Sequence, residues 1–168
     1  MRAILVCFVL LLSGCAQANG ADNQRPALEL TGRVVDAAEI LTPQFEDQLT
    51  TRLAELEAET KVQLVVAATP DLKGHDISDY SFELANAWGI GSKERNDGLM
   101  VLVAPKERKV RIEVGLGLEA SVKDEEAAKI VEEAIIPAFQ NGDFEKGISR
   151  GVDRLIIEVS PAQLKEAA

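Results

Sequence analysis

Hydrophobic and polar residues follow two different periods along the chain, and these periods predict its strands and helices. VQLVVAAT at residues 62–69 and LMVLVA at residues 99–104 are nearly unbroken apolar runs rich in β-branched residues. Such runs are typical of strands that are covered on both faces. VRIEV at residues 110–114 alternates instead, so Arg111 and Glu113 share one face of a strand that should lie nearer the edge of the sheet.

The order of these segments predicts the fold. KERK at residues 106–109 joins the second run to the third through too few residues for a parallel crossover, so this pair should form an antiparallel hairpin. Amphipathic helical patterns precede, separate and follow the strands. The order helix, strand, helix, strand, strand, helix, helix predicts an α/β fold: a three-layer α/β/α sandwich around a mixed sheet with an antiparallel hairpin strand.

Local signals predict where the helices begin, bend and end. Thr42 is a suitable N-cap for the first helix, and Gly89 can take the left-handed conformation that ends the second. The third should bend or end near Pro137, which lacks a backbone N–H. Gly147 and Gly151 stand one turn apart in the fourth. Because each lowers helix propensity by ~1 kcal/mol relative to alanine, we expect this helix to approach a neighbour closely there.

The N-terminal residues have the layout of a bacterial secretory signal. MRAILVCFVLLLSGC contains one basic residue, Arg2, then an apolar run too short to span a bilayer, then small residues. Its last four residues, LSGC, resemble the lipobox of bacterial lipoproteins, in which the cysteine, here Cys15, carries the lipid and becomes the new N-terminus. The alternative is a plain signal peptide cleaved after a small residue, and a free thiol at Cys15 would decide for it. Ala16 at the second mature position implies delivery to the outer membrane.

These segments divide the chain into four parts. Residues 1–14 are the expected lipoprotein signal peptide, and residues 15–27, which are small, polar and aperiodic, are the expected flexible tether. Residues 28–160 should form one compact domain, and residues 161–168 a frayed tail. Both cysteines, Cys7 and Cys15, precede the domain, so neither a disulfide nor a cysteine nucleophile is expected within it.

Charge and residue types narrow the chemistry. The formal net charge of −10 should repel nucleic acid phosphates and favour cations, so no nucleic acid partner is expected. His75 is the single histidine, which leaves too few of the usual ligands for a zinc site. Ser121 and Ser149 lack the glycine-flanked turn of a hydrolase nucleophile.

The segment GLGLEA at residues 115–120 has the form of a dinucleotide-binding fingerprint, but its context argues against one. That fingerprint requires the helix to open inside the motif and point its free N–H groups at the pyrophosphate. Here the helix is expected to begin later, at Asp124, and the carboxylates of Glu119 and Asp124 would oppose a phosphate. No nucleotide ligand is therefore expected.

A divalent cation suits the same region better, because carboxylate and amide oxygens are the ligands of hard cations. Individual residues also have simpler interpretations: Asp124 as a helix cap, Glu113 as an ion-pair partner of Arg111 or Lys109, and Glu119 as a solvated side chain. No EF-hand spacing is present. The candidate metal ligands are Asp36, Asn96, Asp97, Glu113, Glu119 and Asp124.

The chain resembles a known family in several motifs that follow one another in the same order. NAWGIG, NDGLMVLVA, RIEVGLGLE and FQNGDFEKGI, together with VVDAAEIL at residues 34–41, are similar to motifs of the TPM domain, which occurs in thylakoid-lumen photosystem repair proteins and bacterial envelope proteins. The resemblance covers residues 34–159. Two positions depart from the family pattern. Leu116 stands between the two glycines where many members have an aromatic residue, and Lys123 stands before Asp124 where proline is frequent.

The resemblance implies an α/β/α sandwich with a Rossmann-like sheet and, for some members, calcium binding, acid phosphatase activity and roles in the repair or assembly of membrane complexes. All six candidate ligands fall on positions of family motifs. We therefore expect a module of the cell envelope, lipid-anchored to the outer membrane and facing the periplasm, that binds Ca²⁺ or Mg²⁺ and an envelope protein partner. The alternative is a metal-dependent acid phosphatase that hydrolyses phosphomonoesters.

Overall fold

The computed structural model describes residues 28–160. The predicted signal peptide, the tether with Cys15 and the C-terminal tail lie outside these residues. Among the described residues, none of the helices combines the length and apolar character needed to cross a bilayer.

Within residues 28–160 the sheet contains four strands: β1 (Val34–Asp36), β2 (Gln63–Ala68), β3 (Gly98–Ala104) and β4 (Lys109–Val114), in the spatial order β1-β2-β3-β4. β1, β2 and β3 are parallel, and β4 runs antiparallel to β3, with Leu99 opposite Val114 and Ala104 opposite Lys109. The predicted mixed sheet, its hairpin and the edge position of the alternating strand are confirmed.

Strand β1 is an element that the hydrophobic pattern did not predict. It is three residues long, and its register places Val34 beside Val66 and Asp36 beside Ala68. A segment this short shows no recognisable alternation, so its strand conformation depends on pairing with β2.

The helices are α1 (Pro43–Thr60), α2 (Ile77–Trp88), α3 (Asp124–Ile130), α4 (Ile136–Phe139) and α5 (Phe144–Glu158), and a short 3₁₀ turn covers Leu116–Leu118. The Thr42 side chain accepts a hydrogen bond from the N–H of Phe45, and Gly89 ends α2 with φ of 62°, as expected. Lys123, rather than Asp124, occupies the cap position of α3, and its side chain makes no capping bond.

The predicted bend before Pro137 takes the form of a π-helical turn. Residues Val131–Ile135 are π-helical and connect α3 to α4, whose second residue is Pro137. Proline removes one helical hydrogen bond and clashes with the carbonyl four residues earlier, and a wider turn relieves both problems.

The helices form two layers that cover the two faces of the sheet. Helix α2 covers one face, where Tyr80 and Leu84 belong to one buried cluster with Met100 and Leu102. Helices α1, α3, α4 and α5 cover the other, in a larger core of buried side chains that includes Leu49, Leu53, Val101, Ile112, Ile148 and Leu155. The predicted three-layer sandwich is confirmed.

Gly147 and Gly151 lie at the expected close contact. A Cβ atom at Gly147 would stand 2.5 Å from the ring of Phe139, and one at Gly151 would stand 2.6 Å from Cδ1 of Ile135. The two glycines therefore let α5 approach the π-helical turn and α4 more closely than any larger residue would allow.

Candidate functional site

The predicted ligands lie at both ends of the sheet. Asp36 ends β1, at the carboxyl end of the parallel strands, whereas Asn96 and Asp97 precede β3 at the amino end. A strand rises roughly 3.3 Å per residue, so the two ends of the seven-residue strand β3 are roughly 20 Å apart.

Three of the six predicted ligands, Asn96, Glu113 and Glu119, line one cavity of about 350 Å³ at the amino end of β3. We call this cavity, between α2 and the loop after β4, the cleft. Its apolar lining comes from α2, the loop that follows α2, the start of β3, the end of β4 and the 3₁₀ turn, and comprises Phe82, Ala85, Ile90, Leu99, Met100, Val114 and Leu116.

Glycines shape the rim of the cleft. The N–H of Gly115 donates to the carbonyl oxygen of Gly98 at 2.8 Å, and the N–H of Gly117 donates to that of Asn96 at 3.0 Å. A Cβ atom at Gly117 would lie 1.8 Å from the carbonyl oxygen of Arg95. The glycines of the GLGLEA segment therefore allow the backbones of two loops to approach closely. Their N–H groups form the hydrogen bonds of that contact.

Glu113 is held against the wall of the cleft by two donors. Its Oε2 accepts hydrogen bonds from Ser81 Oγ at 2.7 Å and from Arg111 Nε at 2.9 Å. Of the two ion-pair partners considered for Glu113, the structure therefore shows Arg111, while Lys109 lies 3.6 Å from Asp76. Glu119 and Asn96 are exposed at the mouth.

Asp97 stabilises the loop before β3. Its buried carboxylate accepts a hydrogen bond from the N–H of Ser92 at 2.8 Å and forms an ion pair with Arg95. Burial alone would raise the pKa of Asp97, but the hydrogen bonds from Ser92 and Arg95 outweigh burial and lower the pKa below its ordinary value.

Asp36 has an unusual environment at the opposite end of the sheet. Its Oδ2 accepts a hydrogen bond from the N–H of Leu41 at 2.7 Å, whereas its Oδ1 is buried and, among the described residues, has no hydrogen-bond partner. Burial, the charge of Asp36 and that of Asp47 raise the pKa of the nearby Glu46. The carboxylate of Glu46 therefore lies near that of Asp36, whose Oδ1 has no hydrogen-bond partner within residues 28–160.

Asp124, the sixth predicted ligand, lies apart from both groups. It is exposed at the start of α3 and lines a shallow cavity with Val110, Ile112 and residues of α3. Across residues 28–160, no three His, Cys, Asp or Glu side chains gather closely enough to hold a metal ion.

The sequence did not single out the exposed apolar side chains at the cleft. Phe82 is 61% exposed and Leu116 is 71% exposed, and both line the cavity. Phe82 falls outside the apolar stripe of α2, which is formed by Ile77, Tyr80, Leu84 and Trp88. The sequence signal that could have identified this surface was a large apolar residue, Phe82, outside the helical period of the buried face.

The family model of the TPM domain matches residues 34–158, which form most of the chain and nearly all of the described structure. The chain belongs to the TPM domain family. No curated protein matches the sequence.

Solved structures support the same conclusion about this TPM domain. It is similar to the N-terminal domain of a protein from Porphyromonas gingivalis, solved in solution, with 30% identity and a TM-score of 0.72 over 80% of this chain and 85% of that one. Two further structures share the fold. BA42 from Bizionia argentinensis is 19% identical with a TM-score of 0.64, over 73% of this chain and 83% of that one. The N-terminal domain of cg2496 from Corynebacterium glutamicum is 15% identical with a TM-score of 0.56, over 85% of this chain and 84% of that one.

Proposed function

We propose that this TPM domain is a lipid-anchored module of the bacterial cell envelope that binds a protein partner through the cleft and so supports the assembly or repair of membrane protein complexes. The observation that carries the proposal is the pair of exposed apolar side chains, Phe82 and Leu116, at the mouth of the cleft. Large apolar groups around a cavity are typical of protein interaction sites. Lipid at Cys15 would keep the cleft near membrane partners.

The charges of the cleft indicate the chemistry of the partner. Glu113 and Glu119 line the cavity, and none of the described residues that line it is basic. A segment that inserts an apolar side chain beside Phe82 and Leu116, with a lysine or arginine next to it, would complement both features.

A binding experiment tests this role. We propose to immobilise the fragment 16–168, which lacks the predicted signal peptide and Cys15, and to apply a detergent extract of the cell envelope. All residues of both core clusters lie between Val34 and Val159, and the similar Porphyromonas gingivalis domain was solved in isolation, so this fragment should fold. Proteins retained on the fragment are identified by mass spectrometry.

The Phe82→Ser, Leu116→Ser double variant should lose the specifically retained protein. Ile157→Ser is the matched control, because Ile157 is 57% exposed on α5 and lies outside the cleft. All three side chains are exposed, so thermal stability should change little in either variant. Equal retention by the double variant and the wild type would contradict the proposal.

We also propose that the module binds Ca²⁺ or Mg²⁺, and Asp36 is the predicted ligand whose surroundings fit a cation best. In the part of the chain that the structure describes, its buried Oδ1 has no hydrogen-bond partner, and Glu46 adds a second carboxylate nearby. In the cleft, by contrast, Glu113 already binds Arg111 and Ser81. Ca²⁺ takes six to eight oxygen ligands, so backbone carbonyls and water would supply the remainder.

Calcium titration followed by amide NMR distinguishes the two positions. Binding at Asp36 should shift amides of residues 36–46, and Asp36→Asn should weaken it while Glu119→Gln leaves it unchanged. Shifts confined to residues 96–119, abolished by Glu119→Gln, would place the ion in the cleft instead. The absence of saturable shifts at millimolar Ca²⁺ would contradict cation binding.

The phosphatase alternative stays a prediction, and it would involve Arg111 orienting a phosphoryl oxygen. In the structure Arg111 forms an ion pair with Glu113 at 2.9 Å, so a substrate would have to compete with that carboxylate. Hydrolysis of p-nitrophenyl phosphate with and without Ca²⁺ or Mg²⁺ tests it. Activity that an Arg111→Gln variant retains would exclude this role for Arg111.

A further inference from the structure

A second cavity, of about 600 Å³, lies at the other end of the sheet from the cleft. It is bounded by the last residues of β3, the hairpin that follows, α4 and the start of α5. Its volume lies within the range of roughly 300–1,000 Å³ that is usual for small-molecule sites. In open α/β sheets, ligands bind outside the carboxyl ends of the strands, which is where this cavity lies.

The interior wall of this cavity is apolar. Ile136, Phe139 and Phe144 line it and are half-buried. The rings of Phe139 and Phe144 stand 4.9 Å apart and are inclined by 58°, and Phe139 is wedged against Gly147. This contact holds the aromatic wall in place, so it can accept an apolar group without first reorganising.

The outer wall carries positive charge. Arg108 and Lys109 line the cavity, and among the described residues that line it none is acidic, although the net charge of the chain is −10. Within residues 28–160, no carboxylate forms an ion pair with Arg108. The neighbouring Lys106 and Lys109, by contrast, pair with Asp71 and Asp76. The Arg108 guanidinium is therefore available to an external anion.

We propose that this cavity binds a small anionic amphiphile: a phosphate or carboxylate group at Arg108, joined to a short apolar chain that lies against Phe139 and Phe144. An anion alone would leave the aromatic wall uncovered, and an apolar molecule alone would leave Arg108 without a counterion. The site is separate from the cleft, and the proposal does not depend on the function proposed above.

Four probes of related structure test it on the fragment 16–168 by amide NMR. Hexyl phosphate and hexanoate combine an anion with an apolar chain, inorganic phosphate has only the anion, and hexanol only the chain. We expect saturable shifts in residues 103–110 and 136–144 for at least one of the first two. Inorganic phosphate and hexanol should each bind roughly tenfold more weakly or worse, the loss expected when one charge-assisted hydrogen bond or the buried chain is missing.

The comparison of the two amphiphiles identifies the source of the ligand: tighter binding of hexyl phosphate points to a phospholipid headgroup or phosphomonoester, and tighter binding of hexanoate to a fatty acid. If inorganic phosphate bound as tightly as hexyl phosphate, the apolar chain would contribute nothing, and the proposal of an amphiphilic ligand would be overturned. Shifts confined to other parts of the domain would overturn the site.

A variant pair isolates the role of Arg108. Arg108 has φ of 54°, and asparagine tolerates this left-handed conformation, so Arg108→Asn should remove the charge and retain the turn. It should weaken binding of the preferred amphiphile roughly tenfold. Lys106→Gln, in the same turn but outside the cavity lining, is the control and should bind as the wild type does. If both variants weakened binding of the amphiphile equally, the effect would come from overall charge alone, and the assignment of the anion to Arg108 would be overturned.

Discussion

The N–H of Gly117 donates a hydrogen bond to the carbonyl oxygen of Asn96 at 3.0 Å, and this contact joins the loop after β4 to the loop before β3. Both loops carry residues of the cleft, so their contact fixes its shape.

Gly117→Ala should therefore destabilise the domain and deform the cleft. The added Cβ atom would lie 1.8 Å from the carbonyl oxygen of Arg95, and backbone must move to relieve the overlap. We expect a loss of about 1–3 kcal/mol in the free energy of unfolding, measured by urea denaturation. Gly32→Ala is the control, because a Cβ atom there would meet its nearest neighbour only at 4.0 Å. Equal stability of the two variants would contradict the contact.

The lowered pKa of Asp97 predicts a pH-dependent contribution to stability. A carboxyl group whose pKa is lower in the folded state stabilises the fold above its unfolded pKa, here 3.8, and loses that effect as the pH falls through the folded value. Asp97→Asn should therefore cost about 1–3 kcal/mol at pH 7, and the difference from the wild type should shrink below pH 4. Urea denaturation at both pH values measures it, and a constant difference would contradict the prediction.

Because the charge of Asp36 helps to raise the pKa of Glu46, replacing Asp36 should change that pKa. Asp36→Asn removes a negative charge that opposes ionisation of Glu46, so the pKa of Glu46 should fall. It should stay above its ordinary value, because burial is the larger cause. Carboxyl-carbon NMR titration measures the pKa. Asp47→Asn should lower it less, and an order reversed between the two variants would show that Asp36 is not the nearer charge.

The lipid attachment proposed at Cys15 predicts the behaviour of the full chain in a bacterial host. The protein should partition into the membrane fraction, and its N-terminal peptide should carry the mass of a diacylglyceryl group. Cys15→Ser should release the domain into the soluble envelope fraction. A wild-type protein with a free thiol at Cys15 would decide for the plain signal peptide.

Local signals predicted most of the fold because they act within one or two turns of chain. The cap at Thr42, the left-handed Gly89 and the unbroken apolar run of β3 each specify an element without reference to the rest of the molecule. Strand β1 carries no such signal, because its three residues gain their conformation from pairing with β2.

The candidate site was less predictable, because it depends on distances between elements that are far apart in sequence. Glu113 is adjacent to Arg111 on one strand face, which the alternation showed, but its bond from Ser81 requires α2 to lie over β4. Asp36 ends β1 and Asp97 ends the loop that precedes β3, and only the strand directions place them at opposite ends of the sheet.

The π-helical turn at Val131–Ile135 makes the number of residues in this segment structurally important. A π turn holds one residue more than an α-helical turn between its hydrogen-bonded groups. Deleting a single residue there would allow a continuous α-helix, and because the extra residue is taken up within the π turn, the segment after it would keep nearly the same angular position around the helix axis. Pro137 would then lie within a regular α-helix, where its ring clashes with the carbonyl four residues earlier. The extra residue therefore lets the chain place this proline and still keep the helical segment that carries Phe139.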